Sequence, residues 1–140
     1  GFGVNDAVKF GFKEILRDST KLTDIGGSLE SGSNRILKLM NKGITIEEYI
    51  DFVQTIKSKK EKSLALSIIA GFPTETLEDV KMTLDALKII NPVWVDICRY
   101  VDSDFVPSHN YEQLPLEVIK EHARIYSKVL TKGKIECKIK

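Results

Sequence analysis

Residues 64–70, LALSIIA, constrain this chain more than any other stretch. They are apolar at every position but Ser67, and a strand buried on both faces reads that way, as in a parallel sheet with helices on each side. The flanking segments supply the helices. Thr45 and Glu48 form a capping box ahead of a stripe of Tyr49, Ile50, Val53 and Ile56. Thr76 caps a second helix that turns Val80, Leu84, Leu87 and Ile90 inward and stops at Asn91-Pro92. Val93–Val101 is a second buried strand, residues 102–114 form a loop, and Pro115 opens a helix carrying Val118, Ile119, His122 and Ile125.

Before LALSIIA, Asp6 can cap a helix bearing Val8, Phe12, Ile15 and Leu16. Asp24–Glu30 reads as a strand, and Asn34–Asn41 as a short helix ended by Gly43. The run KSKKEK (57–62) is a solvated helix end, and 134–140 alternates as a terminal strand or a frayed tail. Helices thus alternate with strands, which predicts an α/β fold, a parallel sheet of three to four β/α units with right-handed crossovers. A complete (β/α) barrel takes about 250 residues. This chain has 140, so residues 1–140 are expected to form one domain amounting to half a TIM-type barrel, or an open sheet. The chain opens on Gly1 rather than Met, as a piece of a longer protein would.

Charge excludes some functions. Twenty-one Lys and Arg against 20 Asp and Glu leave +1, too little to draw the whole molecule to nucleic acid or a membrane. There is no apolar run of about 18 residues to span a bilayer and no leader-like segment, so a reducing cytoplasm is the expected location. Cys98 and Cys137 form neither a disulfide framework nor a metal-ligand pair. No metal site is expected within the chain.

In parallel α/β folds, ligands bind at the carboxyl ends of strands. Three such ends are legible. The first is LESGSN (29–34), where Glu30 can accept from hydroxyls and Ser31 and Ser33 can hold a polar group or simply cap a helix. The second is IAGFPTE (69–75), where Gly71 leaves backbone open to a ligand, Pro73 stiffens the turn and Glu75 suits a helix start. The third is RYVDS (99–103). His109 is a weaker candidate base without an identifiable partner. His122 reads as a core-edge histidine and Cys98 as a small hydrophobe.

Together, LESGSNRILKLMNKG (29–43) and IIAGFPTET (68–76), with one helix between them, resemble the radical S-adenosylmethionine superfamily. The wording is similar to its tRNA methylthiotransferase branch, which carries an SGS-N-R-LK-MN string, a GFPGET turn and a Gln-Val-Pro-Glu segment like residues 113–117, QLPLE. The resemblance spans about residues 25–128. It implies that these are the fourth and fifth strands of a partial barrel in an iron–sulfur transferase.

The same resemblance implies site roles. Glu30, and with it Ser31, would face the ribose or amino-acid end of S-adenosylmethionine. Lys42 would stand near the methionine carboxylate, where charge pairing makes sense. Ile69, Gly71 and Glu75 match an I-x-G-x-x-E pattern that packs the adenine, with carbonyls near Arg99–Val101 completing that edge. Ser67 falls where relatives have an Asp for ribose hydroxyls, and serine replaces only one such bond. Three parts of the family pattern are missing from the sequence: the C-x-x-x-C-x-x-C loop that holds a 4Fe-4S cluster, the Gly-Gly-Glu turn, and a Pro-Arg-Pro-Gly-Thr run, whose place YVDSDFVPSH (100–109) takes. The chain is therefore expected to contribute strand ends to a cofactor site whose cluster lies in a missing N-terminal half, and to be inactive alone. tRNA is the expected substrate of the parent. The other readings are a non-catalytic half-barrel completed by a partner or a second copy, and a small independent nucleotide-binding protein.

Overall fold

Strand and helix alternate through the computed structural model, which describes Gly11 and residues 24–57 and 63–140. The helix read from Asp6 and residues 58–62 of the basic run lie outside the described residues. Strand β1 spans Asp24–Glu30, helices α1 and α2 span Asn34–Leu39 and Ile46–Lys57, and β2 spans Ser63–Ala70. Then come α3 (Leu77–Ile90), β3 (Trp94–Arg99), a 3-10 turn (Pro107–Asn110), α4 (Leu116–Lys132) and β4 (Glu136–Ile139). The sheet order is β1-β2-β3-β4, and every pairing is parallel. The terminal segment is thus a strand, and β3 is shorter than its apolar run because Val101 lies out in the loop.

Local chemistry sets the helix ends. The Thr45 hydroxyl accepts from the Glu48 amide at 3.2 Å while Glu48 accepts from the Thr45 amide at 3.1 Å. Thr76 and Asp79 form a second capping box at the start of α3. At the other end of α3, Asn91 turns left-handed at φ 51°, and the Lys57 ammonium donates to the Ile90 carbonyl at 2.8 Å.

Helix stripes meet one sheet face in a single core. Leu64, Leu66, Ile68 and Ala70 of β2 pack there with Tyr49, Phe52, Val53, Leu87 and Tyr126 of the helices. The other face differs from the expectation of burial on both sides. Burial alternates along β2, with Ser63 and Ala65 exposed and Ser67 and Ile69 half-buried. Apolar composition alone does not tell which partner covers a face. Among the described residues the helices cover one side, leaving the side that a closed barrel would turn inward. In register across that bare face lie Gly26, Ala65 and Trp94, then Ser28, Ser67, Asp96 and Lys138. The architecture is that of a partial TIM-type barrel.

Candidate functional site

The carboxyl ends of β1, β2 and β3 open into a cleft of about 740 Å³, within the range of small-molecule sites. Glu30, Lys42, Ile69, Cys98, Arg99 and Val101 are among its lining residues. Glu30 reaches it through an unusual backbone. The β1–β2 register slips by one residue between Ser28 and Glu30, a bulge of the kind that re-aims a side chain. Glu30 itself sits at φ 68°, and the Ser31 amide donates to the Leu29 carbonyl across it at 2.8 Å. A non-glycine residue in that region is strained, and such strain concentrates at functional sites. No described residue bonds the Glu30 carboxylate. Its charge, after burial, helps raise the pKa of the buried Tyr49 phenol, which has no hydrogen-bond partner among the described residues.

Lys42 follows α1 and also lines the cleft, beyond Asn41 at φ 57°. Ile69 is half-buried on the bare side of β2 beside Cys98 of β3, its register partner. Burial raises the Cys98 thiol pKa, with help from Asp96 and Glu30, so it is a protonated, poorly nucleophilic group. The reading of Cys98 as a small hydrophobe fits, although it lines the cleft rather than the core.

Four predicted contacts, Ser31, Ser67, Gly71 and Glu75, are placed elsewhere. Ser31 is fully buried: its hydroxyl lies 3.3 Å from that of Thr83 and accepts from the Ser33 amide at 3.0 Å. Gly32 fits because a Cβ there would come within 2.6 Å of the Thr83 Cα, and its amide donates to the Thr83 hydroxyl at 2.8 Å. Ser33 both caps α1 and donates to Asp79 at 2.7 Å. The S-G-S string is a clasp onto α3, with no hydroxyl free for a ligand. Gly71 likewise leaves no backbone open to a ligand on its Cβ side. At φ 80° it adopts a glycine conformation, and a Cβ would meet Ile119 of α4 at 2.6 Å. Glu75 is buried with its carboxylate turned to protein. It accepts from the Gly71 amide at 2.9 Å, lies 2.7 Å from His122 Nδ1, and accepts from the Tyr126 hydroxyl at 3.2 Å. His122 is therefore no core-edge residue but the buried partner that fixes Glu75. Ser67 stands outside the cleft lining, one register step below Ile69, 3.1 Å from the Ser28 hydroxyl.

The far wall was not legible as a site. Phe72 makes edge-on ring contacts with Tyr100 at 5.5 Å and Tyr111 at 6.4 Å. Tyr111 donates to the Leu39 carbonyl at 3.2 Å, joining the β3–α4 loop to the end of α1. The available signal was aromatic residues at two adjacent strand ends, Phe72 and Tyr100. His109 also has the partner that spacing did not reveal: Nδ1 lies 2.8 Å from Asp102, and Nε2 lies 3.4 Å from Asp104. The ring staples the loop and does not line the cleft. Cys137 is free, as is Cys98, and the described residues gather no group of three side chains able to hold a metal. Among them, too, no helix is long and apolar enough to cross a membrane.

Chemically, the cleft lining offers a carboxylate that no described residue bonds, the ammonium of Lys42, apolar side chains and aromatic rings. That set suits a zwitterionic molecule with hydroxyls and a flat ring. The Radical SAM superfamily model matches residues 11–87, more than half of the chain. A threonylcarbamoyladenosine tRNA methylthiotransferase of Aquifex aeolicus is 39% identical over 111 residues, 78% of this chain and 27% of the relative. A tRNA-2-methylthio-N(6)-dimethylallyladenosine synthase of the same organism is 39% identical over 97 residues, 68% of this chain and 22% of the relative. The corresponding synthase of Thermotoga petrophila is 49% identical over 75 residues, 53% of this chain and 17% of the relative. The chain spans at most 27% of the length of these relatives.

Proposed function

Since this chain belongs to the Radical SAM superfamily, we propose that its cleft is one half of an S-adenosylmethionine site in a tRNA methylthiotransferase-like enzyme. The observation that carries this is the convergence of Glu30, Ile69 and Arg99, from three adjacent parallel strand ends, on one cleft with Lys42.

Glu30 accepts from ribose hydroxyls or the methionine ammonium. Lys42 pairs with the methionine carboxylate. Ile69 gives adenine an apolar face, and the main chain of Arg99–Val101 supplies its polar edge. Gly71 and Glu75 act one step back. Glu75, fixed by His122 and Tyr126, holds the Gly71 amide and so the turn from which Ile69 and Phe72 project. Ser31 acts in the same indirect way, by clasping the loop after Glu30 to α3. Ser67 is the weakest fit, because its hydroxyl already faces Ser28. When bound beside a 4Fe-4S cluster, S-adenosylmethionine supplies a 5′-deoxyadenosyl radical. The described residues provide no cluster ligands, so their share is binding, orientation and exclusion of water. The substrate is an adenosine of tRNA carrying an N6 substituent, as the relatives' names state of those enzymes.

Calorimetry on the whole polypeptide that carries this chain tests the reading. S-adenosylmethionine should bind, and Glu30→Ala and Lys42→Ala should each weaken it about tenfold, the loss of one charge-assisted hydrogen bond. Unchanged affinity in both variants would remove the assignment. The bare sheet face favours a second reading, a non-catalytic half-barrel that a partner or second copy completes. Concentration-dependent dimerisation with no nucleoside binding would select it.

A further inference from the structure

We infer that the β3–α4 loop selects an adenine whose N6 substituent is aliphatic and uncharged over one whose substituent ends in a carboxylate. This rests on the tRNA reading above and adds the class of base that the site accepts.

The loop has an apolar tip at the mouth of the cleft. Val101 and Val106 line the cleft and are 81% and 40% exposed, and Phe105 between them is 96% exposed. Three large apolar side chains displayed within six residues mark a surface that something apolar covers. The charges of the loop point the same way. No Lys or Arg occurs between Arg99 and Lys120, whereas Asp102 and Asp104 flank the tip. His109 is held against both of them, Nδ1 at 2.8 Å from Asp102 and Nε2 at 3.4 Å from Asp104, so both ring nitrogens are already engaged. A further carboxylate brought to this wall meets like charge. The cations of the cleft stand elsewhere: Lys38 and Lys42 lie on the α1 side, and the Arg99 Nε–H donates to the Lys140 carbonyl at 3.4 Å.

The wall is also preorganised. The Tyr100 and Ser108 hydroxyls are 2.8 Å apart, and the Gln113 side chain donates to the Ser108 and Tyr111 carbonyls at 2.8 and 3.1 Å. Little ordering entropy is lost when a five-carbon aliphatic group settles on it. Both substituent types occur among the relatives, dimethylallyl in one set and threonylcarbamoyl in the other. Overall identity does not separate them here, and the loop does.

The test is equilibrium binding of three RNA hairpins to the whole polypeptide that carries this chain. They differ only in one unpaired loop adenine, which is unmodified, N6-dimethylallyl or N6-threonylcarbamoyl. The dimethylallyl RNA should bind at least tenfold more tightly than the threonylcarbamoyl RNA. Phe105→Ser should close that gap by weakening the dimethylallyl RNA, with S-adenosylmethionine binding measured alongside as the control for an intact fold, and a side chain this exposed can be replaced without harm to the fold. Equal affinity for the two modified RNAs, or tighter binding of the threonylcarbamoyl form, overturns the inference and leaves the tRNA reading standing. S-adenosylmethionine binding with no RNA binding overturns both.

Discussion

Glu30 holds a conformation that its residue type disfavours, at a strand end that opens onto the cleft. Releasing the strain and keeping the function are therefore separable. Glu30→Gly should raise unfolding stability by about 1 kcal/mol, the cost of a non-glycine residue in the left-handed region, and weaken nucleoside binding about tenfold, as loss of the carboxylate does in Glu30→Ala. A chemical melt together with calorimetry on one variant checks both, and loss of stability in the glycine variant contradicts the strain.

Asp79 poses a different residue-scale question. Burial opposes its charge, but hydrogen bonds from Arg35, Ser33 and Thr76 outweigh it and hold the carboxyl at about 2. A carboxyl depressed in the folded state contributes stability above its unfolded pKa of about 3.9, and that contribution fades as pH falls toward the folded value. Stability should therefore drop by about 2 kcal/mol between pH 4 and pH 2, and Asp79→Asn should flatten that part of the profile. Urea midpoints across the range decide it.

At the scale of elements, the turn after β2 depends on α4 as much as on its own sequence. Gly71→Ala should cost about 3 kcal/mol, combining positive φ with overlap onto Ile119. Ile119→Ala vacates that space, so the double variant should lose at least about 1 kcal/mol less than the two single losses together. Additive losses would mean that α4 does not press on the turn. The same contact explains what was legible beforehand. Capping boxes, the parallel order and the three strand ends follow from local patterns, and the structure has them. The residues that make S-G-S and G-F-P-T-E recognisable have mostly inward roles: Ser31 binds Thr83, Gly71 admits Ile119 and Glu75 binds His122. Their partners lie 47 to 52 positions away in sequence, beyond the reach of any local pattern. Glu30, Lys42 and Ile69 do line the cleft, whereas its aromatic end depends on a loop whose course no periodicity encodes.

For the whole molecule, the telling mismatch is β2, whose second face sets Ala65 and Ile69 beside Ser63 and Ser67 and has no helix over it among the described residues. A strand that lives with its second face in water gains nothing from Ala65 and Ile69 there, and among the described residues β1 and β4 are edge strands. Ser28, Ser67, Asp96 and Lys138 make a polar row between apolar tiers, and Lys140 and the Trp94 indole hold Asp96 at 3.0 and 2.8 Å. These partners, Trp94 first, lower the Asp96 pKa, so the row carries a fixed negative charge matched from within the chain. A barrel closing over this face could accommodate such a row, since its charge is already paired, and would bury the Ala65 tier. Ala65→Arg then separates the possibilities. In the whole polypeptide it should cost about 3 kcal/mol or more, the cost of an unpaired buried charge, whereas on a face left in water it should change stability by less than about 0.5 kcal/mol. Thermal melts of the variant decide between them, and an unaltered melting point would show that no second half closes over the sheet.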